Sequence, residues 1–237
     1  VGKNATLMIS EREFRTRLGR RARKAGLIVP ADLANRLWNY LELLLRWNRK
    51  INLTAFDEDT PDAAIDRLLI EPLQAARLLA ADARRLMDIG SGGGSPAIPI
   101  KLAVPGAGMV MVEVKARKSA FLREAVRLLE LSDTRVETAR FEELLARPEL
   151  HEAQDAVTVR AVRIERKTLL GLQAFLRPGG RILLFHRNAG PQPSTDAVPP
   201  PLSVDSTHQL AADSPGNRLV ILRKSVPRGT ISLDAVQ

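Results

Sequence analysis

The chain has 237 residues, 45% hydrophobic and 27% charged, which suits one α/β domain with an appended segment and excludes a chain disordered throughout. The lack of cysteine excludes disulfides and thiol nucleophiles, and with only three histidines it argues against a structural zinc site. No apolar run approaches the roughly 20 residues of a membrane helix and no secretory leader pattern opens the chain, so a cytoplasmic protein is expected, while the net charge of +9 points to a polyanionic partner.

Ser10, with Glu13 three residues on, reads as a capping box, and a helix is predicted from there to about Gly26. It carries Arg12, Arg15, Arg17, Arg20, Arg21, Arg23 and Lys24, a cluster suited to neutralising phosphates whatever the base sequence. Pro30 opens a second helix, on which Leu33, Leu37, Leu41, Leu44 and Leu45 line one face; it ends near Lys50, because Ile51-Asn52-Leu53-Thr54 has poor helix propensity. A polar loop over 57–62 leads to a third helix over about 63–81. Residues 1–84 are thus expected to form a basic, RNA-contacting helical extension.

From residue 85 to 237 the pattern becomes that of an α/β domain. Arg85–Ile89 reads as a short strand closed by Gly90-Ser91-Gly92-Gly93-Gly94, and a helix starts at about Pro96. Strands at 109–114, 135–138 and 156–160 alternate with helices over 117–131, from Phe141, and up to about Leu176. Pro178-Gly179-Gly180 turns into a fifth strand over 181–185. The alternation predicts a parallel sheet covered on both faces. After a Pro-rich polar loop over 188–201, strands near 202–210 and over 218–224 are expected to pair as an antiparallel hairpin. No internal repeat is visible.

The sharpest chemical signal is Asp88-x-Gly90-x-Gly92-x-Gly94 between a strand and a helix. Glycines there let the backbone turn tightly and let a ligand approach closely. A dinucleotide fingerprint would need a glycine where Ser95 stands, and the spacing is similar to motif I of class I methyltransferases. Glu113 ends the second strand about 20 residues on, where acids bind ribose hydroxyls in such sheets. Phe141 and Glu142 open the helix after strand three, beside the expected adenine position. Arg160 ends strand four at the cleft mouth, where it can serve a ligand or a salt bridge, and Arg163 follows it. Without cysteine, covalent attack of the cytosine-C5 type is impossible. No Asn-Pro-Pro-Tyr-like run follows strand four, and His151, His186 and His208 are scattered. An acceptor that needs no general base, such as guanine N7, fits this inventory. Aromatics at 4% argue against a base-stacking platform.

Several segments together resemble a family. Arg46-Trp47-Asn48-Arg49-Lys50-Ile51-Asn52-Leu53-Thr54 is similar to the "KWN-x-x-x-NLT" segment of the GidB/RsmG family, bacterial small-subunit rRNA guanine-N7 methyltransferases. Asp88 to Pro99 resembles its "DVGTGPGLPGIP", Arg117 to Arg123 its "KR-x-x-FL", Val159-Arg160-Ala161 its "SRA", and Leu176 to Arg181 its "LKPGGR". The order is colinear from about Ala31 to Arg187. The chain departs at Leu68-Leu69-Ile70-Glu71-Pro72, where the family has His-Ile-Leu-Asp-Ser. It departs again at Glu113 for Asp, at Val159 for Ser, and at Phe185-His186-Arg187 for Leu-Lys-Gly.

The resemblance implies a class I, Rossmann-like S-adenosylmethionine-dependent methyltransferase fold with an N-terminal helical extension. It implies methyl transfer to N7 of a guanine in 16S rRNA by a monomer that meets ribosomal RNA or the small subunit. Asp88, Gly90, Gly92, Gly94, Ser95, Glu113, Phe141, Glu142 and Arg160 would hold S-adenosylmethionine, and Arg160 and Arg163 would meet the RNA. Two other readings stand beside it. One is a non-catalytic or re-targeted RNA-binding relative. The other is a nicotinamide-dependent oxidoreductase, which Ser95 and the lack of a recognisable hydride-transfer acid disfavour.

Overall fold

In the computed structural model the described residues are 9–54, 60–160, 164–186, 198–211 and 216–226. Seven strands form one sheet: β1 (Arg85–Ile89), β2 (Gly108–Val112), β3 (Thr134–Glu137), β4 (Gln154–Arg160), β5 (Leu176–His186), β6 (Leu202–Gln209) and β7 (Arg218–Lys224). Their order across the sheet is β3-β2-β1-β4-β5-β7-β6. The first five are parallel; β7 runs antiparallel to β5, and β6 pairs antiparallel with β7 as a hairpin. The chain winds outward from β1 through β2 to β3, then returns to start β4 on the other side of β1. A crevice opens at that reversal, beyond the carboxyl ends of β1 and β4.

Strand side chains alternate between two cores. Leu86, Met109, Met111, Ala156 and Leu183 pack on one face, and Met87, Val112, Val157, Val159, Ile182 and Leu184 on the other. This period-two division between two apolar layers is why the strands read as near-continuous apolar runs. The second face is covered by α7 (Phe141–Leu144) and α8 (Arg166–Phe175) through Leu144, Leu169, Leu172 and Phe175.

The first face is covered by α5 (Ala97–Ala103), α6 (Ala116–Leu128) and the N-terminal helices α1 (Glu11–Lys24) and α2 (Ala31–Asn48). Phe14 and Leu18 of α1, and Leu37, Tyr40, Leu41 and Leu44 of α2, belong to the same buried cluster as Ile98, Phe121 and Leu122. The change of pattern near residue 84 is therefore a change of secondary structure within one continuous core. Among the described residues no helix is long and apolar enough to cross a membrane.

The expected third helix is interrupted. It runs as α3 (Pro61–Ile65), a π-helical turn over Asp66–Ile70, and α4 (Glu71–Ala76). Pro72 has no N–H to continue an ordinary ladder, and just before it the N–H of Glu71 bonds Asp66 five residues back. Two carbonyls, Arg67 and Leu68, are thereby freed from the helix.

The basic cluster of α1 is largely turned to internal use. Arg17 pairs with Glu13 and Asp62, Arg20 with Asp62, and Arg15 with Glu11. Arg21 is buried against the buried Asp66, its Nε donating to Oδ1 at 2.7 Å. This pair pins α1 to the π turn. Asp66→Ala is expected to strip the balancing carboxylate from Arg21 and to cost about 3–5 kcal/mol of stability, whereas the joint change Arg21→Met with Asp66→Leu should restore most of it. Urea unfolding of the three proteins checks this; a single-variant loss under about 1 kcal/mol would deny the pair an anchoring role.

Candidate active site

The crevice at the strand reversal is a cleft of about 780 Å³. That lies within the range of about 300–1,000 Å³ usual for small-molecule sites. One wall is the glycine turn after β1. Gly90 and Ser91 both donate their backbone N–H to Val112 O, at 2.9 and 3.1 Å, which ties the turn to the end of β2. Gly92 has φ +50°, which favours glycine, and a Cβ there would sit at ordinary contact distance, 3.7–3.9 Å, from Gly90 O, Leu53 O and Lys118 Nζ. Glu113, buried just past β2, lines the same wall. Its carboxylate accepts the N–H of Gly92 at 2.9 Å and that of Lys115 at 2.8 Å. Each oxygen keeps a further acceptor position for a ligand hydroxyl.

Beneath the turn lies Asp88. Its Oδ1 accepts from Thr158 Oγ1 at 2.5 Å, while the buried Oδ2 has no hydrogen-bond partner. Burial pushes the Asp88 carboxyl up from 3.8 to about 6, against the hydrogen bond of Thr158 and the charge of Arg160. Because the folded value is the higher one, the stability this group contributes is complete below about pH 3.8 and is lost as pH rises through about 6.

The "WN…NLT" segment is the roof of this wall. The Asn48 side-chain carbonyl accepts the N–H of Leu53 at 2.9 Å and of Thr54 at 3.0 Å, which folds the chain back over the turn. Trp47 donates to Glu124 of α6 at 3.0 Å and packs edge-on against Phe121. From α2 the Tyr40 hydroxyl donates to Gly93 O at 2.6 Å, and Leu44 and Leu53 close on Gly93.

The opposite wall is built by Arg160. Its Nη2 donates to Glu71 Oε2 at 2.8 Å, its Nη1 donates to the freed carbonyl of Arg67, and its guanidinium lies 4.2 Å from the centre of the Phe185 ring. Asn217 completes Glu71 by donating to Oε1 at 2.7 Å. Burial pushes the Glu71 carboxyl above its ordinary value in spite of Arg160 and Asn217. The other freed carbonyl, Leu68, accepts from Ser95 Oγ at 2.9 Å. His186, half-buried on this wall, is held below its ordinary value by burial and then by Arg218, so it is neutral near pH 7.

Of the residues expected from sequence, Gly90, Gly92, Ser95, Glu113 and Arg160 line the one cleft. Gly94 does not: a Cβ there would come within 2.4 Å of Ile98, so it serves the turn and the core. Asp88 lies under the lining. Phe141 packs toward α8, where a Cβ on Gly171 would meet it at 2.9 Å, and Glu142 is exposed; neither lines the cleft. They follow β3, whose terminal Glu137 O accepts the N–H of Glu113 at 3.0 Å. Arg163 lies outside the described residues. The sequence reading missed Arg67, Lys118, His186 and Asn217 as cleft residues. Lys118 stood within a segment that carried the family resemblance, and His186 within one that departed from it.

A parallel sheet that reverses beside a glycine turn, with an acid after β2, is shared with nicotinamide-binding folds; the antiparallel β7 set between β5 and β6 marks a class I S-adenosylmethionine-dependent methyltransferase. Solved structures agree on the fold. An S-adenosylmethionine-dependent methyltransferase from Aquifex aeolicus superposes with TM-score 0.51 at 15% identity, covering 73% of this chain and 100% of its own. The mitomycin 7-O-methyltransferase MmcR gives 0.53 at 18%, covering 92% and 74%. The model of the GidB family, rRNA small subunit methyltransferase G, matches residues 33–192. A ribosomal RNA small subunit methyltransferase G from Xanthomonas axonopodis pv. citri (strain 306) is 37% identical over 202 residues, 83% of this chain and 89% of that protein. One from Myxococcus xanthus (strain DK1622) is 33% identical over 186 residues, 78% and 81%. The chain belongs to the GidB family, and the nicotinamide reading of its glycine turn falls away.

Asp88 supplies a pH test of the site's construction. Asp88→Asn is expected to remove, between pH 4 and 7, a stability component on the order of 3 kcal/mol that falls with rising pH in the wild type. Unfolding curves of both proteins across that range measure the difference; parallel pH profiles would show that Asp88 does not titrate there.

Proposed function

We propose that this protein transfers a methyl group from S-adenosylmethionine to N7 of a guanine in small-subunit ribosomal RNA, acting as a cytoplasmic monomer. The observation that carries the reading is the single cleft shared by the glycine turn with Glu113 and by the Arg160–Glu71–Asn217 wall, in a chain of the GidB family. When bound, S-adenosylmethionine supplies a methyl group on a sulfonium. The backbone at Gly90–Gly92 and Ser95 would hold its methionine end, and Glu113 its ribose hydroxyls.

The chain's own residues then do three things. The roof formed by Leu53, together with Val159, Leu169 and Leu184, gives the cleft apolar walls that exclude water from the acceptor. Arg160, fixed on three sides, gives the acceptor base a rigid surface and so sets the approach line. The Arg160–Glu71 pair is neutral as a whole, so the pair itself adds no net charge against the positive charge that methylation at N7 places on the guanine ring. N7 carries an exposed lone pair and loses no proton, so the neutral His186 is not needed as a base. A paired or stacked guanine must be opened before it can enter. Residues 1–84 then act as the layer that roofs the cofactor wall, and residues 85–237 as the catalytic core.

Glu113→Gln keeps one acceptor oxygen for the turn, sets an NH2 against the other backbone N–H, and removes the charge offered to ribose. It should weaken S-adenosylhomocysteine binding by about 1.5–3 kcal/mol in calorimetry. An unchanged dissociation constant would return Glu113 to a purely structural part in the turn.

N7 methylation leaves a cationic ring with a labile glycosidic bond, so borohydride–aniline treatment of modified 16S rRNA should break the strand at one guanine. Methyl incorporation without such a break would move the acceptor to another atom, and no incorporation into any RNA would remove the methyltransferase reading.

A further inference from the structure

Two groups of cationic residues, one on α1 and one around the cleft mouth, differ in their surroundings. On α1 the charges follow the helix dipole, with Glu11 and Glu13 in the first turn and Arg21, Arg23 and Lys24 in the last. Arg15, Arg17, Arg20 and Arg21 are engaged by carboxylates of the same chain. These four charges are accounted for by the fold, while Arg12 and Arg23 of the same helix are exposed and their side chains bond none of the described residues.

Around the cleft mouth the pattern is reversed. The α6 helix begins Ala116-Arg117-Lys118 after Lys115, and α8 begins Arg166-Lys167, with no acid in either first turn. Positive charge in these first turns opposes the helix dipole, so it does not serve helix stability, although Glu165 at the N-cap of α8 offsets part of it there. Lys118 and Arg166 line the cleft itself. Arg49 and Lys50 stand between α2 and the roof residues Leu53 and Thr54, which also line it. Arg49, Lys50, Lys115, Arg117, Arg166 and Lys167 are all exposed, and their side chains make no hydrogen bond or ion pair with the described residues. The α6 start lies on the layer of the first core and the α8 start on that of the second, so the charges flank the mouth from both layers.

We propose that this rim, and not the basic helix α1, is the surface that grips the phosphates of the RNA substrate and orients the opened base into the cleft. The inference rests on the functional reading above and adds where the RNA lies. A strand that presents one nucleotide to a cleft runs its phosphates across the mouth on both sides. A set of unpaired cations on both layers matches that path, and local breaks of the charge rule at a functional edge are where such cost is expected. A surface built this way binds in a strongly salt-dependent manner, since each engaged phosphate releases counterions.

The test compares three full-length proteins binding in-vitro-transcribed 16S rRNA across a salt series: wild type, a rim variant (Lys115→Gln, Arg117→Gln, Arg166→Gln, Lys167→Gln) and an α1 variant (Arg12→Gln, Arg23→Gln). S-adenosylhomocysteine calorimetry on each reports that the cofactor wall is intact. Loss of four phosphate contacts should lower the slope of log K against log salt by about 3 and weaken binding roughly 100-fold near 0.15 M salt, with the α1 variant near wild type. A rim variant that binds cofactor and keeps the wild-type slope overturns the proposal, as does an equal or larger loss in the α1 variant. The separate pair Arg166→Gln with Lys167→Gln, and the pair Lys115→Gln with Arg117→Gln, should each lose about half of the slope change; if one rim variant misfolds, the other decides. Wild-type methylation of the rRNA is measured in parallel. If it is absent, the functional reading fails and takes this proposal with it; if it is present while the rim variants bind normally, only the rim assignment fails.

Discussion

The cleft depends on a defect in one helix. Between Asp66 and Pro72 the hydrogen-bond ladder skips a residue at Glu71 and cannot continue at Pro72, so the carbonyls of Arg67 and Leu68 are left to other partners. In a buried segment such carbonyls must be satisfied. Arg160 takes the first and Ser95 takes the second. One element is thereby tied to the end of β4 and to the glycine turn after β1, the two sides of the crevice. The same segment contributes Glu71 to Arg160 and Asp66 to Arg21, so it also locks the outer helix α1 in place.

This arrangement explains a departure from the family resemblance. Pro72 stands where the resemblance has a serine, and the change suits a position whose N–H has no helical role once the ladder is broken. Glu71 keeps an acid at its position and is satisfied on both oxygens, by Arg160 and Asn217. The Arg160 guanidinium is thus bonded to Glu71 and to Arg67 O and stacked on Phe185. It is rigid before any substrate arrives, which is what a surface that sets an approach line requires.

The N-terminal helices are part of the catalytic architecture because they finish the first layer. Tyr40, Leu44 and Leu53 press on Gly93, and Asn48 folds the loop that carries Leu53. The "WN…NLT" motif thus has a mechanical meaning. Trp47 fixes the end of α2 to α6, Asn48 satisfies two backbone donors, and Leu53 caps the turn. A charge count along α1 suggests a binding surface, but the carboxylates that meet those arginines come partly from residues 42–45 positions later in the chain.

What the sequence determined by itself was whatever local chemistry enforces. The strand–glycine turn–helix unit at 85–103, the alternation of strands and helices, the hairpin of β6 and β7, the acid after β2 and the family were all legible, because period, glycine conformation and motif spacing are properties of short stretches. Only the tertiary structure decided which of those residues face the cleft. Gly94 turns to Ile98, Phe141 packs toward α8, and Arg160 meets Glu71 across 89 residues of chain. His186 and Asn217 reach the cleft from an antiparallel edge, and their approach depends on the pairing of β5 with β7. The division of the arginines into those consumed by the fold and those left at the rim was likewise invisible in the sequence. A charge's partner is set by through-space proximity, and proximity between distant segments exists only once the chain is folded.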